Sequence, residues 1–327
     1  MNPFRRTLLK GAGMAAGALA GAHRPAFAQA YPSKPVRIVV PYPPGGPTDI
    51  VARLAGHKLE ERFKQPFVVD NKPGAGGNLG AETVARAAPD GYSLVVGTTA
   101  HAINPSIFKQ MSYDLLRDLT PVALLTRVPL VLVVHPSVPA RTVAEFIAHA
   151  RKSDGALAYA SSGNGQSTHL AAELFKSMTG VKMTHVPYKG SAPALVDVAG
   201  GQVAAMFDTM LSAMPQVKAG RLRALAVTSE RRSGAAPELP TVAESGVPGY
   251  EATAWNGLLA PAGTPKDIVE QLNKAVNELL AQPDVAQRLA ADGADPGTGS
   301  VMDFEKFIRV ELDKWARAVK SSGAVMN

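Results

Sequence analysis

Val39-Val40-Pro41-Tyr42-Pro43-Pro44-Gly45-Gly46-Pro47-Thr48-Asp49 joins an apolar run over residues 36–40 to a helix-like stretch over residues 50–63. The prolines fix the approach, while Gly45 and Gly46 admit positive φ and let other atoms come close to bare backbone. Thr48 or Asp49 is placed to cap the helix that follows. Strand, glycine turn and helix in this order put exposed N–H groups at the positive end of a helix dipole, where a small carboxylate can be held without a basic side chain. The same residues also describe a rigid turn with no ligand, and the loop alone does not choose between the two.

Outward from this loop, apolar β-rich runs alternate with amphipathic runs at helical spacing, the pattern of an α/β fold. Strands are expected over residues 36–41, 67–70, 93–98, 128–135, 157–161, 183–186, 203–208, 222–228 and 253–260, and helices from near Asp49, Asn78, Val143, Thr168, Pro193, Pro265, Pro283 and Val301. Ile268, Leu272, Ala275, Val276 and Leu279 share one helix face; Phe304, Ile308, Leu312, Trp315 and Val319 share another, and both stripes read as core packing. So many strands predict two sheets and two lobes, with residues 128–135 and 253–260 passing between them. A ligand then belongs in the cleft, where loops at the carboxyl ends of strands face each other.

The first 28 residues read as a targeting segment. Arg5-Arg6-Thr7-Leu8-Leu9-Lys10 precedes an apolar, small-residue run and the cleavage pattern Ala26-Phe27-Ala28. The paired arginines resemble the twin-arginine signal, with the general secretory route as the alternative. Removing this segment takes away four basic residues and no acid, so the formal charge falls from +7 to +3 and the case for a nucleic-acid partner goes with it. No later apolar run has the ~20 residues needed to span a bilayer. The chain has no cysteine, which excludes disulfides, thiolate metal sites and a cysteine nucleophile.

Polar loops recur at the strand exits. Gly97-Thr98-Thr99-Ala100-His101 leads to Asn104; Ser161-Ser162-Gly163-Asn164-Gly165-Gln166-Ser167-Thr168-His169 enters a helix as a second donor-rich start; Pro187-Tyr188-Lys189-Gly190-Ser191 and Phe207-Asp208-Thr209 follow. These loops contain no arginine and one lysine, Lys189. A carboxylate there would be held by backbone N–H groups, hydroxyls, water and helix termini. Asp208 could accept from a ligand ammonium or amide, or could cap the segment after it, and His101 and His169 could touch a ligand or serve as caps. The stretch Asn71-Lys72-Pro73-Gly74-Ala75-Gly76-Gly77-Asn78-Leu79-Gly80 fails as a dinucleotide fingerprint because Leu79 stands where glycine is required, which leaves a turn or part of the cleft wall. Catalytic patterns are thin: Ser106 and Lys109 have Ser-x-x-Lys spacing without its companion elements, and the seven histidines are not at ligand spacing.

Together, the Pro41 to Asp49 loop, Asn71-Lys72-Pro73-Gly74-Ala75-Gly76-Gly77-Asn78, Pro89-Asp90-Gly91-Tyr92, His185-Val186-Pro187-Tyr188-Lys189-Gly190 and Pro240-Thr241-Val242-Ala243-Glu244 resemble the Bug, or TctC-type, extracytoplasmic solute receptors of tripartite tricarboxylate transporters. The resemblance implies a two-lobed, type II-like periplasmic binding fold, each lobe a mostly parallel sheet flanked by helices, with residues 31–127 plus 250–327 as one lobe and 128–249 as the other. It implies a periplasmic receptor, not an enzyme, that closes on a small carboxylic acid, whether dicarboxylate, amino acid or aromatic acid, and presents it to a membrane permease. Carried over, Gly45, Gly46 and Asp49 face Ser162, Gly163 and Ser167 across the carboxylate. Tyr42, Pro44, Thr98, Thr99, Asn104, Thr168 and Tyr188 complete the expected contacts, with Asp208 tuning specificity at the distal end. No metal or cofactor and a monomeric chain are expected. The alternatives are a sensory receptor signalling to a membrane kinase and an exported hydrolase.

Overall fold

The central strands are buried on both faces, and burial of this kind requires helices on either side of a sheet. Val36–Val40 (β1) is representative, with four of its five residues buried. In the computed structural model, which describes residues 31–291 and 293–322, β1 pairs in parallel with Phe67–Asn71 (β2) and Ser93–Thr98 (β3). Ala158–Ser161 (β5) pairs in parallel with Thr184–Pro187 (β6) and Ala205–Thr209 (β7), so each half of the molecule has a three-stranded parallel core. The targeting segment lies outside the described residues.

Leu119–Val134 (β4) connects the halves. From Leu119 to Pro129 it runs antiparallel to Thr253–Pro261 (β9), which also flanks β3, and from Leu130 onward it pairs with β7 and with Arg223–Val227 (β8). Pro129 falls at the changeover, where the missing N–H costs no ladder bond. Asp295–Pro296 (β10) adds a short pairing to β4, giving the order β2-β1-β3-β9-β4-β7-β5-β6 with β8 and β10 also on β4. The sheet is continuous, and the chain from Lys34 onward is one compact unit. The strand expected at residues 128–135 is thus the second half of a strand twice as long. Residues 253–260 do not pass between halves but stay beside β3 and β4. Thr228 secures the return: Leu130 N donates to its Oγ1 at 2.8 Å, and Ala252 N donates to its carbonyl at 3.0 Å.

The helices are Pro47–Phe63 (α1), Asn78–Ala85 (α2), Thr99–Ile107 (α3), Val143–Lys152 (α4), Ser167–Thr179 (α5), Ser191–Ala199 (α6), Met210–Lys218 (α7), Lys266–Leu280 (α8), Pro283–Ala291 (α9) and Val301–Ser322 (α10). The stripes of α8 and α10 are core-facing as expected: Leu272, Ala275, Val276 and Leu279 are buried, as are Phe304, Ile308, Trp315 and Val319. Helix α10 packs against α3, β4 and α5 and so touches both halves. The sequence reading lacked α3 and α7, since Pro105 and Pro215 lie inside them and break the helical pattern.

Candidate functional site

Five strands, β1, β3, β5, β6 and β7, lead into five helices, α1, α3, α5, α6 and α7. The residues that precede those helices, Gly46, Thr98, Gln166, Gly190 and Thr209, all line one cavity. At four of the five starts no side chain caps the helix. The first N–H groups of a helix have no intrahelical acceptor, and each start carries the equivalent of about half a positive charge. None of the described residues lining the cavity is Lys, Arg, Asp or Glu, so its positive potential comes from backbone alone. Its volume is about 60 Å³, room for on the order of five waters or a compact acid.

Of the residues expected at the site, Tyr42, Gly46, Thr98, Thr99, Ser162, Ser167 and Thr168 are on this wall. The structure does not bring Pro44, Gly45, Asp49, Asn104, Gly163, Tyr188 or Asp208 to it, and most have identifiable other partners. Asp49, 3% exposed, does not cap α1. Its Oδ2 accepts from Gly45 N at 3.0 Å and Arg53 Nε at 2.9 Å, and its Oδ1 accepts from Asn71 Nδ2 at 2.9 Å. Burial alone would raise this carboxyl, but those hydrogen bonds outweigh it and hold it below its ordinary value. The Gly45 N–H expected to face a ligand is therefore spent on the loop itself. Pro44 and Gly45 are exposed, and Gly45, at φ +83°, supplies the turn.

Asn104 braces the Gly74 to Asn78 turn, donating to Asn78 Oδ1 at 2.7 Å and Gly76 O at 3.2 Å. Gly163 (φ +133°) packs close to the Tyr188 carbonyl, and the Tyr188 hydroxyl donates to Asp197 at 2.6 Å. Asp208 is fully buried behind the wall, accepting from Ser191 Oγ at 2.7 Å and Ser212 Oγ at 2.6 Å. Burial pushes its carboxyl up to about 6, against the pull of those hydroxyls and the Thr209 N–H.

The histidines support loops. His101 Nδ1 accepts from Thr98 N at 2.9 Å, which leaves Nε2–H to face Gly77 O at 3.3 Å, and burial holds the ring neutral with its pKa lowered to about 4. His169 accepts from Gly165 N at 3.2 Å and stacks on His185, ring centroids 3.9 Å apart, beneath the Ser161 to Thr168 loop. The two halves meet directly at Gln166: Tyr42 Oη donates to its Oε1 at 2.8 Å, and its Nε2 donates to Gly76 O at 2.9 Å. The glycine turn that fails as a nucleotide motif thus contributes to the cleft.

The sequence reading missed Gln166, Ser191 and Thr209, although each lies at the start of a helix next to or within a quoted loop. It also missed Trp255 and Asn256, which have no local signal; they reach the wall because β9 pairs with β3 in the register Thr98↔Asn256. Trp255 is fixed from both sides, its N donating to Thr99 Oγ1 at 2.9 Å and its Nε1 to the buried Glu311 of α10 at 3.1 Å.

Two parallel cores joined through antiparallel strands, with one uncharged cavity ringed by helix starts, define the two-lobed periplasmic solute-binding class. The chain belongs to the tripartite tricarboxylate transporter receptor family, whose model matches residues 51–324. It is 39% identical over 309 residues to protein BugT of Bordetella pertussis, covering 94% of this chain and 95% of that protein. Among solved structures it is similar to Rhodopseudomonas palustris Rpa4515 with adipate (42% identity, TM-score 0.88, covering 90% of this chain and 98% of that one). It is also similar to MatC of the same organism with bound malate (36%, 0.84, covering 88% and 100%) and to the periplasmic binding protein BugD (34%, 0.86, covering 91% and 100%).

Proposed function

We propose that this chain is a periplasmic receptor that closes on a small carboxylic acid and presents the closed form to the membrane subunits of a tripartite transporter. Residues 31–127 with 250–327 form one lobe and 128–249 the other. The observation that carries the reading is the convergence of five helix starts from both lobes on a cavity with no charged side chain: such a wall suits an anion, and each lobe supplies only part of it. Ligand then stabilises the closed state through contacts with both lobes, a population shift whose size equals the difference in affinity for the two states. The adipate and malate seen in two similar proteins are small carboxylates, the class of ligand such a wall suits. Thermal unfolding against a panel of mono- and dicarboxylic acids, sugars and nucleotides tests it. A cognate acid at 100 times its Kd is expected to add about 2.7 kcal/mol of stability. A flat response to acids with shifts for sugars or nucleotides would replace the reading.

A further inference from the structure

At the α6 and α7 corner of the cavity, the hydroxyl protons can be assigned one by one. Each serine or threonine hydroxyl has a single proton to donate. Ser191 gives its proton to Asp208 Oδ1 at 2.7 Å and Ser212 gives its proton to Asp208 Oδ2 at 2.6 Å. Thr209 Oγ1 lies 3.0 Å from Ser212 Oγ. Ser212's proton is committed to a shorter, charge-assisted bond, so Thr209 must be the donor of that pair. Ser191 and Thr209 line the cavity while Asp208 and Ser212 do not. Both wall hydroxyls therefore have only lone pairs left to offer the cavity, and a carboxylate outside its lining fixes that polarity.

We propose that the Ser191–Asp208–Ser212–Thr209 relay makes this corner a reader of a hydrogen-bond donor on the ligand, selecting an acid that carries a hydroxyl or carboxamide over one that ends in a second bare carboxylate. The proposal rests on the carboxylate-receptor reading above. The first backbone N–H groups of α6, from the lining residues Ser191 and Ala192, have no intrahelical acceptor, so the corner offers both donors and acceptors. A hydroxyl or primary amide satisfies both kinds. A bare carboxylate could accept from the N–H groups but has no proton for the two lone pairs, and an ammonium only donates and would meet the helix dipole with no countercharge on the wall. Lys189, the one lysine of these loops, is exposed and not among the lining residues.

The test is calorimetry with matched acids, 4-hydroxybutyrate and succinamate against succinate, and 6-hydroxyhexanoate and adipamate against adipate, on the wild type, Asp208→Asn and Ser191→Ala. In the wild type the hydroxy acid or amide of the fitting length is expected to bind at least ~10-fold tighter than the diacid, since a buried unmatched polar pair is costly. Asn at 208 accepts from only one of the two serines and donates to the other, which frees a proton to turn toward the cavity. The preference should then fall by roughly tenfold in Asp208→Asn, and Ser191→Ala should weaken the hydroxy acid and amide while sparing the diacid. A diacid that binds tighter in the wild type, or a preference unchanged in both folded variants, overturns the relay while leaving the receptor reading in place. Absence of binding by all six acids overturns the relay and leaves the receptor reading to the wider panel of acids above.

Discussion

One side chain, Gln166, joins the two halves through both atoms of its amide, accepting from Tyr42 Oη at 2.8 Å and donating to Gly76 O at 2.9 Å. Gln166→Ala removes both bonds and is expected to weaken acid binding by roughly tenfold, about 1.4 kcal/mol; an unchanged Kd in calorimetry would deny it a part in closure. Ionisation is also decided residue by residue. Burial lowers His101 and His169 to about 4, and burial with the neighbouring His169 lowers His185 to about 3, from an ordinary 6.5. Between these values and 6.5 the unfolded chain binds more protons than the folded one, so stability rises with pH there and is lost on acidification. For fully buried His101 the effect is on the order of 3 kcal/mol. Asp208 acts with the opposite sign: raised from 3.8 to about 6, its contribution is full below 3.8 and is lost as pH rises through about 6. Three groups oppose one, so urea unfolding is expected to show stability falling from about pH 7 to about pH 4. His101→Gln, which can keep an acceptor for Thr98 N and a donor for Gly77 O, should make that slope shallower, and an equal slope would remove His101 as a cause.

At the scale of elements, tight packing explains both what was legible and what was not. Strand β9 lies under α10 so closely that a Cβ on Gly257 would meet the Phe304 ring and sit 3.0 Å from Ala123 O. Gly257→Ala is expected to cost about 1–3 kcal/mol by overpacking, read as a lower melting temperature; a neutral result would mean that α10 shifts freely. Helices α8 and α10 were readable because each has a single buried stripe, and a stripe repeats within a few turns of its own sequence. Helices α3 and α7 were not, because Pro105 and Pro215 look like breaks while Asn104, Met210 and their neighbours are buried nearly all round. The first half of β4 was lost for the same kind of reason: Pro121 and Arg127 interrupt an apolar run whose pairing with β9 tolerates them through register shifts.

For the whole molecule, the cavity is the feature that matters, and its wall draws on residues far apart in the chain. The sequence by itself determined the repeated strand, loop and helix units, the α/β class, the absence of arginine and the single lysine in the polar loops at the strand exits, and the family. These are properties of composition and short-range spacing, and hydrophobic period and turn chemistry express them locally. Only the tertiary structure decided which residues of those loops line the cavity. Asp49 and Asp208 look like site residues in sequence; in the structure each is a buried carboxylate that takes nearby N–H and O–H groups, Asp49 accepting from Gly45 N and Asp208 from Ser191 Oγ. Trp255 and Asn256 look like ordinary strand residues and reach the wall through cross-strand register with β3, a pairing across more than 150 positions that no local pattern encodes.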